Sequence, residues 1–398
     1  MDAKESDPRR PSILTHTLNL LNTYKNSFAK PINDRYDIVL LGGALGSLFS
    51  LCQAVASPII GTLSDKHGRR TALLWSMAGN ILSVALWVAA SDFSTFLASR
   101  IVGGLSEGNV QLALAIATDI SDEKQRGSTM ALVGACFSIA FTFGPALGAY
   151  LSTVTLVASN PFATAAGFSL FLIVTETIYL YLYLPETLPS AADTNNSAQA
   201  NGTTAKDDTT KAPTHQRTNS HTLLNASHFL FILFFSGMEF SLPFLSYDLF
   251  AYDQSQTGRL LGFIGLVASI LQGSVTRRLH PIVIVRMGVA SCALAFFLLA
   301  TLSTERGLFA ASGLLAVTSA TVVTGLNSLS SFEAGAGERG KYLGRHRSWG
   351  QIGRTVGPLC FCSLYWWAGR ERAYLIGGAG MLGVLGLVAL GLRKPLER

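Results

Sequence analysis

Charged residues are scarce in this chain, and their scarcity limits what the protein can be. Only 14% of the 398 residues are charged and 49% are hydrophobic, whereas about a quarter of an average soluble domain is charged. This composition argues against a soluble protein and indicates one that lies in a lipid bilayer. Nucleic acid is not an expected partner despite the net charge of +6, because the cations lie in short loops between apolar runs.

Cysteine is also scarce, and the usual signatures of catalysis are missing. The cysteines fall inside or at the edges of apolar runs, which argues against a disulfide framework, and no histidine lies near them to complete a metal site. Without a nucleophile–base pair, a P-loop or metal-ligand spacing, the sequence predicts neither an enzyme nor an ATP-driven pump and implies no cofactor. The cysteines are Cys52, Cys136, Cys292, Cys360 and Cys362.

Long apolar runs are what the chain has in abundance. Eleven of them are long enough to cross the hydrocarbon core of a bilayer, about 30 Å, as helices. They predict an all-α, integral multi-pass protein of the plasma membrane or an intracellular membrane. The runs lie at about 37–60, 71–91, 95–118, 128–152, 162–184, 226–250, 257–276, 282–303, 307–330, 347–368 and 373–392.

Five runs precede and six follow a polar stretch rich in Ser, Thr, Asn, Ala and Asp, which is predicted to be a flexible linker. Lysine and arginine are concentrated in alternate loops, on the side that includes 61–70, so this side is predicted to be cytoplasmic. The expected organisation is a polar, partly amphipathic segment at 1–35, a helix bundle at 36–185, the linker at 186–221 and a second bundle at 222–398.

The segment 61–70 between the first two runs has an unusual polar pattern, G-x-L-x-D-x-x-G-R-R. It is predicted to form a tight polar turn at a membrane face. A loop that merely follows the positive-inside rule would account for its cations, but not for its aspartate or its spaced glycines. The residues that carry the pattern are Gly61, Asp65, Gly68, Arg69 and Arg70.

This pattern resembles the signature loop between the second and third helices of major facilitator superfamily transporters. The resemblance implies two bundles of six helices, a small-molecule substrate and a monomer. Because the signature loop follows the first apolar run here, we expect about eleven spanning helices, with the superfamily's first helix missing from this chain.

An internal repeat supports the two-bundle organisation. The pairs Gly127–Pro145 and Gly340–Pro358 are both separated by eighteen positions, and small residues recur between them, as parallel repeats would give. The pattern resembles the helix-five motif of drug–proton antiporters, although alanine stands at several positions where that motif prefers glycine. Ordinary tight helix packing is the alternative. The predicted packing residues are Gly144, Pro145, Gly353, Gly357 and Pro358.

Several charged residues interrupt the apolar runs and are candidates for binding substrate or protons. Arg100, Glu107 and Gln111, with Gly104, are spaced to share one face of a helix over 95–118. Buried charge costs about 2.5–3.5 kcal/mol at the bilayer centre, so this face is expected to line a wet cavity. A purely structural Arg100–Glu107 pair is the alternative.

Glu239 lies in the middle of the run at 226–250 and is the leading candidate for a proton or substrate site. The resemblance implies this, because superfamily helices one, four, seven and ten line the cavity and Glu239 would lie on helix seven. Arg354 could attract an anionic substrate or pair with Glu239. A glutamate that only bonds to a neighbouring helix is the alternative.

The resemblance also implies a conformational switch. In the superfamily the signature aspartate lies beside the start of helix eleven, where the helix dipole stabilises it. Here the set would be Asp65, Arg69, Asp119 and Arg347. It would stabilise the outward-open state by keeping the cytoplasmic side closed.

The closest resemblance within the superfamily is to the animal tetracycline-transporter-like branch, carried by the runs 99–104, 141–145 and 184–189. It implies a secondary active transporter that moves amphiphilic organic molecules, organic anions or drug-like compounds, by alternating access, with proton coupling. The alternative is a membrane protein that does not transport, either a sensor, a scaffold or an inactive truncated form.

Overall fold

The computed structural model describes residues 13–27, 37–154, 160, 163–188, 218–335 and 337–395, and helices make up nearly all of them. Most of the predicted linker, 189–217, lies outside the described residues. The helices are α1 (Ile13–Asn26), α2 (Asp37–His67), α3 (Arg69–Val88), α4 (Phe93–Ser106), α5 (Asn109–Asp119), α6 (Glu123–Ser152), α7 (Ala163–Tyr183), α8 (His221–Phe250), α9 (Gln254–Leu271, continued by a π-helical turn Gln272–Thr276), α10 (Pro281–Ala300), α11 (Glu305–Glu333), α12 (Arg339–Ala368) and α13 (Arg370–Gly391).

Nine helices of the described part are long and apolar enough to cross a membrane, where the sequence predicted eleven spans. The run at 95–118 forms the two short helices α4 and α5 instead of one. The run at 347–368 belongs to α12, which has 30 residues but carries Arg345, Arg347 and Arg354 and is therefore too polar to count. The all-α membrane fold is confirmed, and its least apolar helix lies where the two halves meet.

The segment 61–70 is not the ten-residue turn that the sequence predicted. α2 continues to His67 and α3 starts at Arg69, so Gly68 alone separates them. Its φ of 95° lies in a region that favours glycine over other residues. The turn can be this short because both flanking helices extend beyond the expected membrane boundary, and this brings the polar residues of the segment onto helical surfaces.

The helices form two halves, α2–α7 and α8–α13, which meet along two seams. α12 packs against α2 of the other half and α8 of its own, whereas α6 packs against α9 and α11. The largest cluster of buried apolar residues belongs to the second half, between α8, α10, α11 and α13. α7 packs mainly on α3 and leaves much of its surface exposed. The two seams are the contacts that any relative movement of the halves must change.

Glycines allow the close approach of α2 and α12. A Cβ atom on Gly61 would overlap the carbonyl group of Gly340, and one on Gly344 would lie 2.5 Å from the carbonyl oxygen of Ser57. One turn farther along, the Ser348 hydroxyl donates to the carbonyl oxygen of Ala54 at 2.6 Å. The two backbones therefore touch over about two turns next to the signature segment.

We expect Gly61→Ala to lower the midpoint of thermal unfolding in detergent by a few degrees. The added methyl group must push α2 and α12 apart, and overpacking of this kind costs about 1–3 kcal/mol. Gly46→Ala on the same helix is the matched control, because a Cβ atom at Gly46 meets nothing within 4 Å. Equal midpoints for the two variants would show that the seam is looser than the structure indicates.

Candidate functional site

Two polar clusters involve the predicted site residues, one at the face where α2 ends and one among the membrane-spanning helices. The first, which we call the latch cluster, consists of Asp65, Arg69, Asp119 and Arg339. Arg69 is fully buried, with its Nη1 2.6 Å from Asp65 Oδ1 and its Nε 2.8 Å from Asp119 Oδ2. Arg339, from the other half, binds the second oxygen of Asp119 at 2.8 Å.

Asp65 also binds the first turn of α12. Its carboxylate accepts hydrogen bonds from the backbone N–H groups of Gly340 at 2.9 Å and Lys341 at 2.7 Å. These N–H groups have no partners within the helix, and the helix dipole favours a negative charge beside them. Asp65 therefore joins α2 of one half to the start of α12 of the other, the position that the superfamily resemblance implied.

Arg347 does not lie in the latch cluster, and its assignment there was wrong. α12 starts at Arg339, eight positions before the run that the hydropathy pattern marked, so Arg339 occupies the first turn and meets Asp119. Arg347 lies two turns farther into the helix. The Arg–Gly pair that starts each repeat, Arg126–Gly127 and Arg339–Gly340, was the sequence signal that could have identified Arg339.

Glu186 fixes the other side of the signature turn. Its carboxylate accepts hydrogen bonds from the backbone N–H groups of Arg69, Arg70, Thr187 and Leu188, at 2.8 to 3.2 Å. Burial alone would raise the pKa of Glu186, but these four donors outweigh it and hold the pKa below its ordinary value. Arg70 itself donates to the Tyr181 carbonyl oxygen at 2.5 Å, so α7 is tied to the start of α3.

The second seam, where α6 packs against α9 and α11, contains a contact between a cation and an aromatic ring at the same membrane face. The guanidinium of Arg126, in the first turns of α6, lies 4.9 Å from the ring centroid of Phe332 on α11. Deeper in this seam, the Ser138 hydroxyl donates to Gln272 Oε1 at 2.6 Å. Arg126 and Arg339 hold equivalent places in the two repeats, and each contacts a residue of the other half across its seam.

The two predicted packing motifs differ in their surroundings. Gly353 and Gly357 of α12 approach α8 closely, since a Cβ atom on Gly353 would lie 2.7 Å from the carbonyl oxygen of Phe229 and one on Gly357 would overlap that of Leu233. Gly144 of α6 has nothing within 4 Å of such an atom. Pro145 and Pro358, which follow the two Gly-Pro glycines, both lie within long helices.

Arg100, Glu107 and Gln111 do not share the face of one helix, contrary to the prediction. α4 ends at Ser106, Glu107 has φ −72° and ψ 80°, and α5 starts at Asn109. The Ser76 hydroxyl on α3 fixes this break, because it donates to the Ser106 carbonyl oxygen at 2.5 Å and accepts from the Gly108 N–H at 2.8 Å. Glu107 is thus held at a bend between two helices.

Arg100 lies among aromatic rings. Its guanidinium carbon is 4.8 Å from the ring centroid of Trp87, 5.5 Å from that of Phe96 and 5.6 Å from that of Phe49, distances at which a cation is attracted to ring faces. The rings come from α2, α3 and α4. Arg100 therefore joins three helices of the first half and keeps a positive charge within electrostatic reach of Glu107.

One face of α12 carries polar side chains among the membrane-spanning helices. One neighbouring face packs on α2 through the glycine seam, and another packs on α8, where Cβ atoms on Gly350 and Gly353 would lie 2.5 Å from the His228 ring and 2.7 Å from the Phe229 carbonyl oxygen. Positions i, i+4 and i+7 form a stripe between these two faces. We call it the α12 stripe, and it consists of Arg347, Gln351 and Arg354.

The depth of the stripe relative to α5 follows from contacts nearer the end of α12. Arg339 meets Asp119, and one turn deeper Leu343 belongs to the same buried apolar cluster as Leu114 and Ala115. Since α5 and α12 run in opposite directions here, the next turn places Arg347 at the level of Gln111 and the Glu107 bend. Arg347 and Glu107 interact electrostatically, but no ion pair within 4.0 Å joins them in the described part of the chain.

Arg354, at the deep end of the stripe, pairs with Glu239 of α8. Arg354 Nη1 lies 3.5 Å from Glu239 Oε2, and the two side chains are 44% and 35% exposed. Their neighbours contact α2 of the other half, since Phe240 lies against Gly43 and the Thr355 hydroxyl donates to the Ser47 carbonyl oxygen at 3.4 Å. The exposed pair therefore lies where the halves meet.

The sequence missed Gln351, because an uncharged amide gives no signal against the many polar residues of α12. Its position four residues after Arg347 was the only indication. Within the described residues, no group of three or more His, Cys, Asp or Glu side chains is arranged to hold a metal ion.

Comparisons with known proteins agree with this geometry. The sequence profile of the Major Facilitator Superfamily matches residues 14–358. Major facilitator superfamily domain-containing protein 10 of Bos taurus is 35% identical over 88% of this chain and 78% of its own length. The tetracycline resistance protein, class E, of Escherichia coli is 25% identical over 81% of this chain and 78% of its own.

A solved structure shares the fold over most of both chains. The crystal structure of the human organic anion transporter MFSD10 (TETRAN) superposes with a TM-score of 0.81 at 30% identity, and the match covers 94% of this chain and 88% of that one.

Proposed function

This chain belongs to the major facilitator superfamily, and on that premise we propose that it carries small organic anions across a membrane by alternating access, coupled to protons. Its family makes it an integral multi-pass membrane protein and a transporter, not an enzyme. The superfamily resemblance read from the signature segment is confirmed. The substrate class and the coupling ion are the proposal.

We call the second polar cluster, which lies among the membrane-spanning helices, the membrane-spanning cluster, and its charge supports an anionic substrate. The cluster contains three arginines, Arg100, Arg347 and Arg354, and two carboxylates, Glu107 and Glu239, so it has one positive charge in excess. Ionisable groups at this depth are costly and therefore functional by default, and an excess of one sign attracts ligands of the other. The human relative of similar fold, an organic anion transporter, supports the same substrate class.

The single observation that carries the proposal is the exposed Arg354–Glu239 pair. At 3.5 Å the pair is long for a charge-assisted hydrogen bond, which is about 2.7–2.9 Å when firm. A proton that binds Glu239 cancels its charge and frees Arg354 for a substrate anion, and loss of that proton restores the pair. Substrate and proton would in this way depend on each other through one arginine.

The latch cluster supports the conformational part of the proposal. Asp65 and Arg339 each link the two halves at the predicted cytoplasmic face, so this face is closed along the α2–α12 seam. An inward-open state requires these bonds to break. The proposed cycle alternates between the latched arrangement and one in which α2 and α12 separate.

Flux in proteoliposomes tests the proposal. Uptake of radiolabelled hippurate, an amphiphilic carboxylate, would be measured with and without a pH gradient, alongside a labelled organic cation of similar size. We expect saturable hippurate uptake that the gradient accelerates several-fold. Absence of flux for hippurate and for other organic anions would favour the sensor or scaffold alternative, and faster flux of the cation would reverse the substrate charge.

A further inference from the structure

The α12 stripe and the facing helix contain polar atoms that the rest of the protein leaves unused. Among the described residues, Arg347 Nε, Gln351 Oε1 and Gln111 Oε1 are buried and have no hydrogen-bond partner. A buried polar atom without a partner costs about 1–3 kcal/mol. Three such atoms within about one helical turn of each other in depth, where no other role accounts for them, point to a ligand that completes their hydrogen bonds.

The bonds that Gln111 does make define which of its atoms is free. Its Nε2 donates to the Ser57 carbonyl oxygen at 2.8 Å, which leaves Oε1 as the unused end. That end is an acceptor and the side chain is only 2% exposed, so Gln111 cannot turn to water for a donor. Gln111 therefore requires an N–H or O–H group from whatever lies in front of it.

Arg347 requires the opposite. Its guanidinium offers donors only, and no ion pair within 4.0 Å commits it to Glu107 in the described structure. The register of α5 and α12, set by Arg339–Asp119 and then by the apolar cluster that Leu343 shares with Leu114, brings Arg347 to the level of Gln111. A cationic hydrogen-bond donor, which can bind an anion, and a neutral acceptor thus lie at one level, on opposite sides of the boundary between the halves.

We propose that Arg347, Gln351 and Gln111 form a recognition subsite for a carboxylate that bears a hydrogen-bond donor, such as a hydroxyl or amide N–H, beside it. Arg347 binds the carboxylate, and the two glutamine oxygens share the hydrogen of the neighbouring donor in a three-centre hydrogen bond. Because α12 and α5 belong to different halves, a ligand that binds to both also stabilises the arrangement in which the halves are close. This inference rests on the proposed function and assigns Arg347 to binding instead of to the latch.

The test compares hippurate with N-methylhippurate, which keeps the carboxylate but lacks the amide N–H. A site built to bond a donor rejects an analogue without one, because its own polar groups are then left unpaired. We expect the wild-type protein to transport hippurate with a kcat/KM about tenfold or more above that of the N-methyl compound. Gln351→Met, which keeps the length of the side chain and removes the acceptor, should reduce this ratio towards one.

Arg347→Gln should raise the KM for both compounds at least about tenfold, a loss of one charge-assisted hydrogen bond or more. Arg345→Gln is its matched control, since Arg345 is exposed on the same helix, and it should change neither KM nor the ratio. Equal transport of both compounds by the wild-type protein, or a ratio that Gln351→Met leaves intact, overturns the subsite while anion transport stands. If no anion is transported at all, the proposed function itself fails.

Discussion

Asp65→Asn should open the predicted cytoplasmic face and reduce the transport rate about tenfold or more. The substitution removes the charge that pairs with the fully buried Arg69 and that binds the first N–H groups of α12. The Asp65–Arg69 pair lies within the first half, so its loss affects both arrangements. The bonds to the Gly340 and Lys341 N–H groups exist only in the latched arrangement, and the loss of each moves the balance between the two states by about 1.5–3 kcal/mol.

Labelling of one buried position measures this opening. Ser57 lies in the α2–α12 seam, is fully buried, and has a hydroxyl oxygen without a partner among the described residues. Ser57→Cys in a chain without its native cysteines is thus a near-isosteric reporter. We expect a membrane-impermeant maleimide to label it slowly in the latched protein and about tenfold faster when Asp65→Asn is added.

Glu338→Gln is the matched control for Asp65→Asn. Glu338 also lies at the start of α12 and pairs with Lys341 at 3.3 Å, but both side chains are about half exposed. Exposed pairs of this kind contribute about 0–1 kcal/mol, so labelling and transport should stay close to those of the parent. Equal labelling rates for the two variants would remove Asp65 from the latch.

The sequence predicted the latch better than the membrane-spanning cluster, for a physical reason. Asp65 and Arg69 are only four residues apart along the chain, on either side of Gly68, so their pairing depends on local geometry that the pattern already contains. The bond from Asp65 to α12 followed from the superfamily resemblance. Which arginine completes the cluster depended on where α12 starts, and a hydropathy run cannot show the polar turns that extend a helix beyond the bilayer.

The bend at Glu107 could not be predicted from its own segment. Gly108 weakens a helix there, but a single glycine costs a helix only about 1 kcal/mol. The break depends on Ser76, a residue of another helix, which satisfies the backbone groups that the bend releases. The α12 stripe was hidden for a similar reason, because the faces of α12 are defined only when α2 and α8 are in place.

Glu239→Gln is expected to abolish accumulation driven by a pH gradient while exchange of substrate across the membrane continues. The glutamine amide cannot lose or gain a proton at the pH values of the transport assay, so Arg354 no longer has Glu239 as a charged partner. The substrate anion then binds and leaves without a proton that moves with it. In proteoliposomes, the variant should show no gradient-dependent hippurate uptake, yet retain within about threefold the exchange of labelled for unlabelled hippurate at equal pH.

The pairing of the two measurements separates a proton site from a structural residue. If Glu239 only held α8 against α12, its replacement would impair exchange and gradient-driven uptake together, and Arg354→Lys would do the same. Glu371→Gln, which changes an exposed carboxylate in the first turn of α13, should leave both intact. Gradient-driven uptake that persists in Glu239→Gln would show that another group carries the proton, and Glu107, the second carboxylate that faces the α12 stripe, would then be the group to replace next.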